Sequence, residues 1–169
     1  MGYLYSLVVF FVLLISINVK AQITRVGLNI TGGIGFVGPL NQGSGAVFAI
    51  HPHYKQWNST SIDGLISYSN IEKTDIVFFG KDRTFTIKSL NFMLGLRQYI
   101  NPSESKNRFF INLLGGISRQ IQVNSDNTEL FSIRSAYSLG LYYEFKPLLI
   151  GAGIESPDVL FIRFGFLVL

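Results

Sequence analysis

The stretch from Ser89 to Ile121 restricts the possible folds more than any other part of the chain. It reads SLNFMLGLRQYI, then NPSESKN, then RFFINLLGGISRQI. On both sides of a turn rich in Asn, Pro, Ser and charge, apolar residues recur at every second position, the period of a pleated strand. Leu90, Phe92, Leu94 and Leu96 share one face; Asn91, Met93, Gly95, Arg97 and Tyr99 share the other. Each arm exceeds the roughly five or six residues usual for strands of soluble sheets. A long hairpin that is greasy on one side and polar on the other fits the wall of a barrel in lipid.

Composition agrees with that reading. Of 169 residues, 48% are hydrophobic and 14% charged, and the mean hydropathy is +0.35. One domain is expected at this length. Fifteen Phe, eight Tyr and 17 Gly favour strands and tight turns. No segment after the N-terminus carries the 3.6-residue stripe of an amphipathic helix, so the fold class is all-β. The net charge of +4 comes from scattered Lys and Arg without a basic run, which argues against nucleic acid as a partner. The absence of Cys excludes disulfides, thiolate zinc sites and thiol catalysis.

Tyr3 to Val19 is nearly all apolar, and Val19 and Ala21 suit the small-residue requirement before a signal-peptidase cut. Met1 to Ala21 therefore reads as a signal peptide and residues 22–169 as the mature domain; an uncleaved anchor helix is the competing reading. The first strand runs from Ile23 to Phe36, the second from Gly45 to Lys55 with a break near Pro52, and the third starts at Ser61. Ile76 to Ile87 places β-formers on both sides of Gly-Lys-Asp-Arg, so strands three and four continue as a hairpin beyond the membrane. Strands four and five are the opening hairpin. After the polar loop Val123 to Leu130 come Phe131 to Phe145, Leu148 to Glu155 and Val159 to Leu169. Eight consecutive strands predict an antiparallel up-and-down barrel, the smallest common transmembrane size.

On this register Arg25, Asp63, Arg97 and Glu144 fall inside toward one rim, and Arg134, Glu155 and Arg163 inside toward the other. A lipid-facing Arg at mid-bilayer costs about 2–4 kcal/mol, so these charges are expected to turn inward and pair. Lys88 and Arg119 fall on the outward face near the strand ends. An eight-stranded barrel is just wide enough for side chains to fill. The interior is accordingly expected to be a salt-bridged plug; a gated narrow conduit is the sharper alternative.

Two motifs invite chemistry. Gly33 to Gly38 (GIGFVG) matches the dinucleotide fingerprint GxGxxG, but Pro39, Gly43 and Gly45 follow where that motif must open a helix. Small residues in a crowded interior explain it better. His51 and His53 share a strand face at a spacing that suits a metal or a general base. No third His exists, Pro52 intervenes, and nothing selects a Ser and a carboxylate beside them. No catalysis, no metal and no cofactor are expected. Tyr54, Trp57, Tyr99, Tyr143 and Phe145 lie near one end of the strands, where an interfacial aromatic girdle belongs.

With an export signal ending at Ala21-Gln22, the strands LNFMLGLRQY (Leu90 to Tyr99) and FFINLLGGI (Phe109 to Ile117), and the closing FIRFGFLVL, the chain resembles the small outer-membrane β-barrel family. These are the porin-family and OmpA-transmembrane-like proteins of Gram-negative bacteria. The resemblance covers essentially all of Gln22 to Leu169 and rests on strand pattern rather than on invariant residues. It implies an outer-membrane location with short periplasmic turns and longer outside loops. In that family the last strand ends on an aromatic assembly signal; Phe164 and Phe166 keep the rhythm, and the terminal residue here is Leu169. Fold does not fix activity. The expectation is a structural or interaction protein, with outer-membrane lipid around it and an extracellular or envelope protein partner at Ile76, Val77, Phe78 and Phe79. The alternatives are a narrow solute channel and a soluble lipocalin-like binder whose apolar face points inward.

Overall fold

The computed structural model describes residues 26–37, 41–55, 59–75, 83–101, 107–125, 128–156 and 159–168. Eight strands follow one another: β1 Val26–Val37, β2 Asn41–Lys55, β3 Thr60–Asp75, β4 Arg83–Tyr99, β5 Asn107–Asn124, β6 Glu129–Phe145, β7 Leu148–Glu155 and β8 Val159–Leu167. Each pairs antiparallel with the next, and β8 returns to β1, so the sheet closes as an up-and-down barrel. Closure leaves no open sheet edge along the shared height of the wall, which is the condition for backbone to sit in lipid. The region read as a signal peptide, Met1 to Ala21, lies outside the described residues, as does Arg25.

The two-residue period sorts the wall into two surfaces. Along β4, Phe92, Leu94 and Leu96 point out of the closed barrel, Leu94 with 60% of its surface exposed. Asn91, Met93, Arg97 and Tyr99 of the same strand are buried inside. On β5, Phe109, Ile111, Leu113 and Ile117 point out while Phe110, Asn112, Leu114 and Ser118 are buried. Ile34, Phe48, Ile66, Leu139, Ile150 and Phe164 continue the apolar outer surface around the other strands. This is the reverse of a lipocalin-like barrel, whose apolar residues would line the bore.

Strand lengths are unequal. The four central strands β3–β6 have 16, 17, 18 and 17 residues, whereas β7 and β8 have 8 and 9. Several therefore run further than their hydrophobic alternation indicates: β2 begins at Asn41 and β6 at Glu129, inside segments that read as loops. Cross-strand hydrogen bonds to a neighbour carry polar residues into the sheet where alternation gives no signal. Pro52 does not end β2 either. The β1–β2 ladder includes Leu28↔Pro52, while the β2–β3 ladder lapses between Ile50↔Ile66 and His53↔Asp63. Proline has no N–H to donate, and the lapse falls on the side where that donor is missing.

Gly33 to Val37 of the GxGxxG segment lie in β1, Gly38 lies outside the described residues, and no helix occurs among the described residues. A Cβ on Gly35 would stand 2.6 Å from Val159 Cγ1 and 2.9 Å from Val47 Cγ1, so this glycine makes room for an apolar cluster in the bore.

Candidate functional site

Inside the barrel, charge and aromatic rings are organised together. Asp63 on β3 meets Arg97 on β4: Arg97 Nε donates to Oδ2 at 3.1 Å and Nη2 to Oδ1 at 3.0 Å, and both side chains are 0% exposed. Arg108 on β5 bonds the Glu144 carboxylate on β6. Arg163 on β8 donates to Glu155 Oε2 on β7 at 2.7 Å. The other oxygen of Glu155 accepts from Asn91 Nδ2 at 2.8 Å and from the Ser67 hydroxyl. Asn91 also donates to the backbone carbonyl of Ser156 at 3.1 Å. Three buried cations thus face three buried anions, the arrangement that burial of charge requires.

Each of these arginines also lies over a ring. The guanidinium carbon is 4.2 Å from the Phe110 centroid for Arg97, 4.7 Å from Tyr99 for Arg108 and 4.2 Å from Phe161 for Arg163. The rings touch one another in turn. Tyr99 meets Phe110 edge-on at 5.4 Å, Phe110 stacks on Tyr142 at 4.9 Å and 9°, and Tyr142 lies 6.2 Å from Phe161. His51 meets Tyr142 edge-on at 5.5 Å. The Tyr142 ring fits because Gly140 and Gly151 flank it. A Cβ on Gly140 would come within 2.6 Å of Tyr142 Cε2, and one on Gly151 would overlap the ring.

The sequence-derived interior set divides as follows. Asp63, Arg97, Glu144, Glu155 and Arg163 are all buried in the bore. Arg134 is a correction: it has the inward parity but is exposed. The β6–β7 ladder ends at Ser138↔Glu155, so Arg134 stands on a part of β6 that rises past β7 and has no bore to fill. Arg108 is absent from the sequence-derived set although it is 8% exposed and pairs with Glu144. The signal was available in the parity it shares with Phe110 and Asn112 against Phe109, Ile111 and Leu113. Tyr99 is a second correction. It is 3% exposed in the bore rather than in an outer girdle, because it has the parity of Arg97. Phe145 is exposed, and Tyr54 and Tyr143 are half-buried. Trp57 and the contact patch Ile76 to Phe79 lie outside the described residues.

His51 is buried and His53 half-buried, both on the bore side of β2. No group of three or more His, Cys, Asp or Glu side chains that would hold a metal occurs among the described residues. The buried carboxylates of Asp63, Glu144 and Glu155 are each held by an arginine.

A second feature lies at the end of the barrel away from Val26 and the Lys146-Pro147 turn. Residues 129–137 of β6 remain paired to β5 but extend beyond β7. The Tyr137 carbonyl accepts a hydrogen bond from Ser156 N at 2.9 Å and the Ser135 carbonyl one from the Ser156 hydroxyl at 3.4 Å, and beyond Ser138 β6 pairs with no described strand other than β5. Phe131 and Ile133 on that edge are 58% and 67% exposed. The β3–β4 ladder likewise continues to Asp75↔Arg83. The central strands therefore form a sheet that overhangs the shorter wall.

No family model matches the chain, and no curated protein matches it. Among solved structures it is similar to Ail, the attachment invasion locus protein of Yersinia pestis. The crystal structure of Ail with the heparin analogue sucrose octasulfate shares 15% identity, covering 85% of this chain and 97% of that one, with a TM-score of 0.43. A second Ail crystal structure shares 14% identity over 85% and 95% of the two chains, with a TM-score of 0.44.

Proposed function

We propose that this chain is an exported outer-membrane barrel of a Gram-negative bacterium that acts as a structural or interaction protein. The observation that carries the reading is the distribution of chemistry across a closed wall. Aliphatic and aromatic side chains cover the outside at the height shared by all eight strands, while buried charges inside are paired. In water, an outer surface of this kind would far exceed the apolar patches that soluble monomers expose. In a bilayer it is the ordinary lipid-facing band. The 8 residues of β7 and 9 of β8 come close to the roughly 9–11 that a tilted span needs.

On this reading the ion pairs and the ring series from Tyr99 to Phe161 fill the bore as a plug, and the protein performs no catalysis. Contact with a partner falls to the overhanging sheet, where Phe131 and Ile133 of β6 are exposed above the last β6–β7 pair. Met1 to Ala21 is a signal peptide removed on export. Fractionation of cells expressing the full chain tests the location: recovery in the outer membrane, extractable by detergent, with a mature N-terminus at Gln22, is expected. Recovery in the soluble periplasm without detergent would overturn it. Planar-bilayer recording tests the plug, and reproducible single-channel steps from the purified protein would replace it with the narrow-channel reading.

A further inference from the structure

A shallow pocket opens on the outer wall where β3, β4 and β5 run side by side, lined by Tyr68, Lys88, Ser89, Leu90, Arg119 and Ile121. The register explains why these residues meet. Tyr68 is opposite Leu90, Leu90 is opposite Arg119, and Lys88 is opposite Ile121. Lys88 and Arg119 are therefore diagonal neighbours on one face of an antiparallel pair, roughly 7–8 Å apart along the sheet. Both are exposed, and among the described residues neither is in an ion pair. Leu90, between them, is half-buried and forms the floor. Arg119 is further held from the β6 side, its guanidinium carbon lying 5.2 Å from the Phe131 centroid.

The height of the pocket matters as much as its lining. On the barrel side the outward neighbours are Ile66, Phe92 and Ile117, all exposed apolar residues. On the overhang side the outward positions of β3 and β4 become Asn70, Glu72 and Thr86, while β5 and β6 keep Ile121, Val123 and Phe131. Lys88 thus stands where β3 and β4 pass from apolar to polar, with Arg119 one pair nearer the barrel on β5. A cation at that level sits beside the headgroups, where long side chains reach polar ligands while their stems stay on apolar surface. Arginine presents a fork that matches phosphate oxygens, and lysine adds a point charge.

We propose that this pocket binds the phosphate group of a membrane amphiphile. Lys88 and Arg119 hold the phosphate, and Leu90 and the Tyr68 ring receive the first carbons of its acyl chains. The inference rests on the membrane reading above, since a barrel in water has no acyl chain beside Leu90.

Phosphatidic acid, which combines a phosphate monoester with two acyl chains, is a suitable probe. The full chain in detergent micelles would be titrated with phosphatidic acid or with phosphatidylcholine, and bound lipid counted by native mass spectrometry. The unmutated protein should retain phosphatidic acid in preference to phosphatidylcholine. The double variant Lys88→Gln/Arg119→Gln should bind it about 25-fold more weakly, about fivefold for each charge at the interface. A charge-matched control, Arg83→Gln/Lys146→Gln, removes two exposed cations outside the pocket and should bind as the unmutated protein does. Equal retention by the pocket variant, or equal loss in the control, would overturn the site. Complete competition by equimolar inorganic phosphate would overturn the amphiphile as its ligand. If the full chain stayed monomeric and soluble without detergent, the membrane reading itself would fall, a result that the lipid counts cannot mimic.

Discussion

Removing the Arg97 side chain beyond its stem gives the sharpest test of how the bore is held. Arg97→Met keeps the length and apolar stem of the side chain and deletes the guanidinium. Two hydrogen bonds to Asp63, at 3.1 and 3.0 Å, disappear together with the contact over Phe110 at 4.2 Å. What remains is a carboxylate with no exposure and no cation of its own. Breaking a buried pair from one side costs about 3–5 kcal/mol, most of it the penalty of the stranded partner. At 3 kcal/mol the folding equilibrium shifts by more than a hundredfold. The same reasoning requires that removing both partners cost much less, because two apolar groups of similar volume leave no stranded charge. Asp63→Val/Arg97→Met should therefore be more stable than Arg97→Met alone. Reversible urea unfolding in detergent, followed by tryptophan fluorescence or circular dichroism, measures all three proteins. The reasoning is refuted if Arg97→Met unfolds within about 0.5 kcal/mol of the unmutated protein, the scatter of neutral surface changes. It is equally refuted if the double variant loses the sum of the two single losses.

Other substitutions separate the surfaces of the wall. Leu113, 65% exposed on the outer face, replaced by Arg should cost about 2–4 kcal/mol in lipid vesicles, whereas Leu130→Arg on the overhang should cost about 0–1; equal costs by unfolding in vesicles would deny the lipid-facing band. Gly151→Val places a branched side chain where the Tyr142 ring lies and should destabilise by about 1–3 kcal/mol, read as a lower urea midpoint. Arg108→Met should lose about 3–5 kcal/mol by stranding Glu144, while Arg134→Met, on an exposed stretch of β6, should stay within about 0.5. Parity in losses between those two variants would show that the β6–β7 boundary is drawn in the wrong place.

Much of this fold is legible in the sequence because the outer face of the barrel repeats one simple instruction. Leu90 to Leu96 and Phe109 to Ile117 alternate so regularly that strand, face and hairpin follow from period alone. Legibility falls where partners rather than patterns hold the chain. Asn41 to Ser44 and Glu129 joined strands because a neighbour supplies backbone hydrogen bonds, and polar residues at a strand end carry no periodic mark. The interior site was half visible. Parity puts Asp63, Arg97, Glu144, Glu155 and Arg163 on the inward face, and all five are buried; the same rule puts Arg108 there, beside Glu144. Arg134 shows the limit of parity, which gives the side of a strand but not how high the opposite wall stands. The stacking of Phe110 on Tyr142 joins adjacent strands β5 and β6, and the room Gly140 and Gly151 leave for that ring depends on packing inside a closed bore that period does not encode.

The unequal strands also decide how the cylinder comes apart. The hairpins from β3 to β6 are zipped along 16 to 18 residues each, whereas β7 and β8 hold the last part of the circumference with 8 and 9. Backbone hydrogen bonds accrue with paired length, so the seam that opens first is the short one, between β6, β7, β8 and β1. Amide protons of Ile150 and Ala152 should exchange with deuterium well before those of Leu94 and Leu113. The closing strands are thus expected to act as a fastening, released first under heat while the tall central sheet persists on either side of the gap.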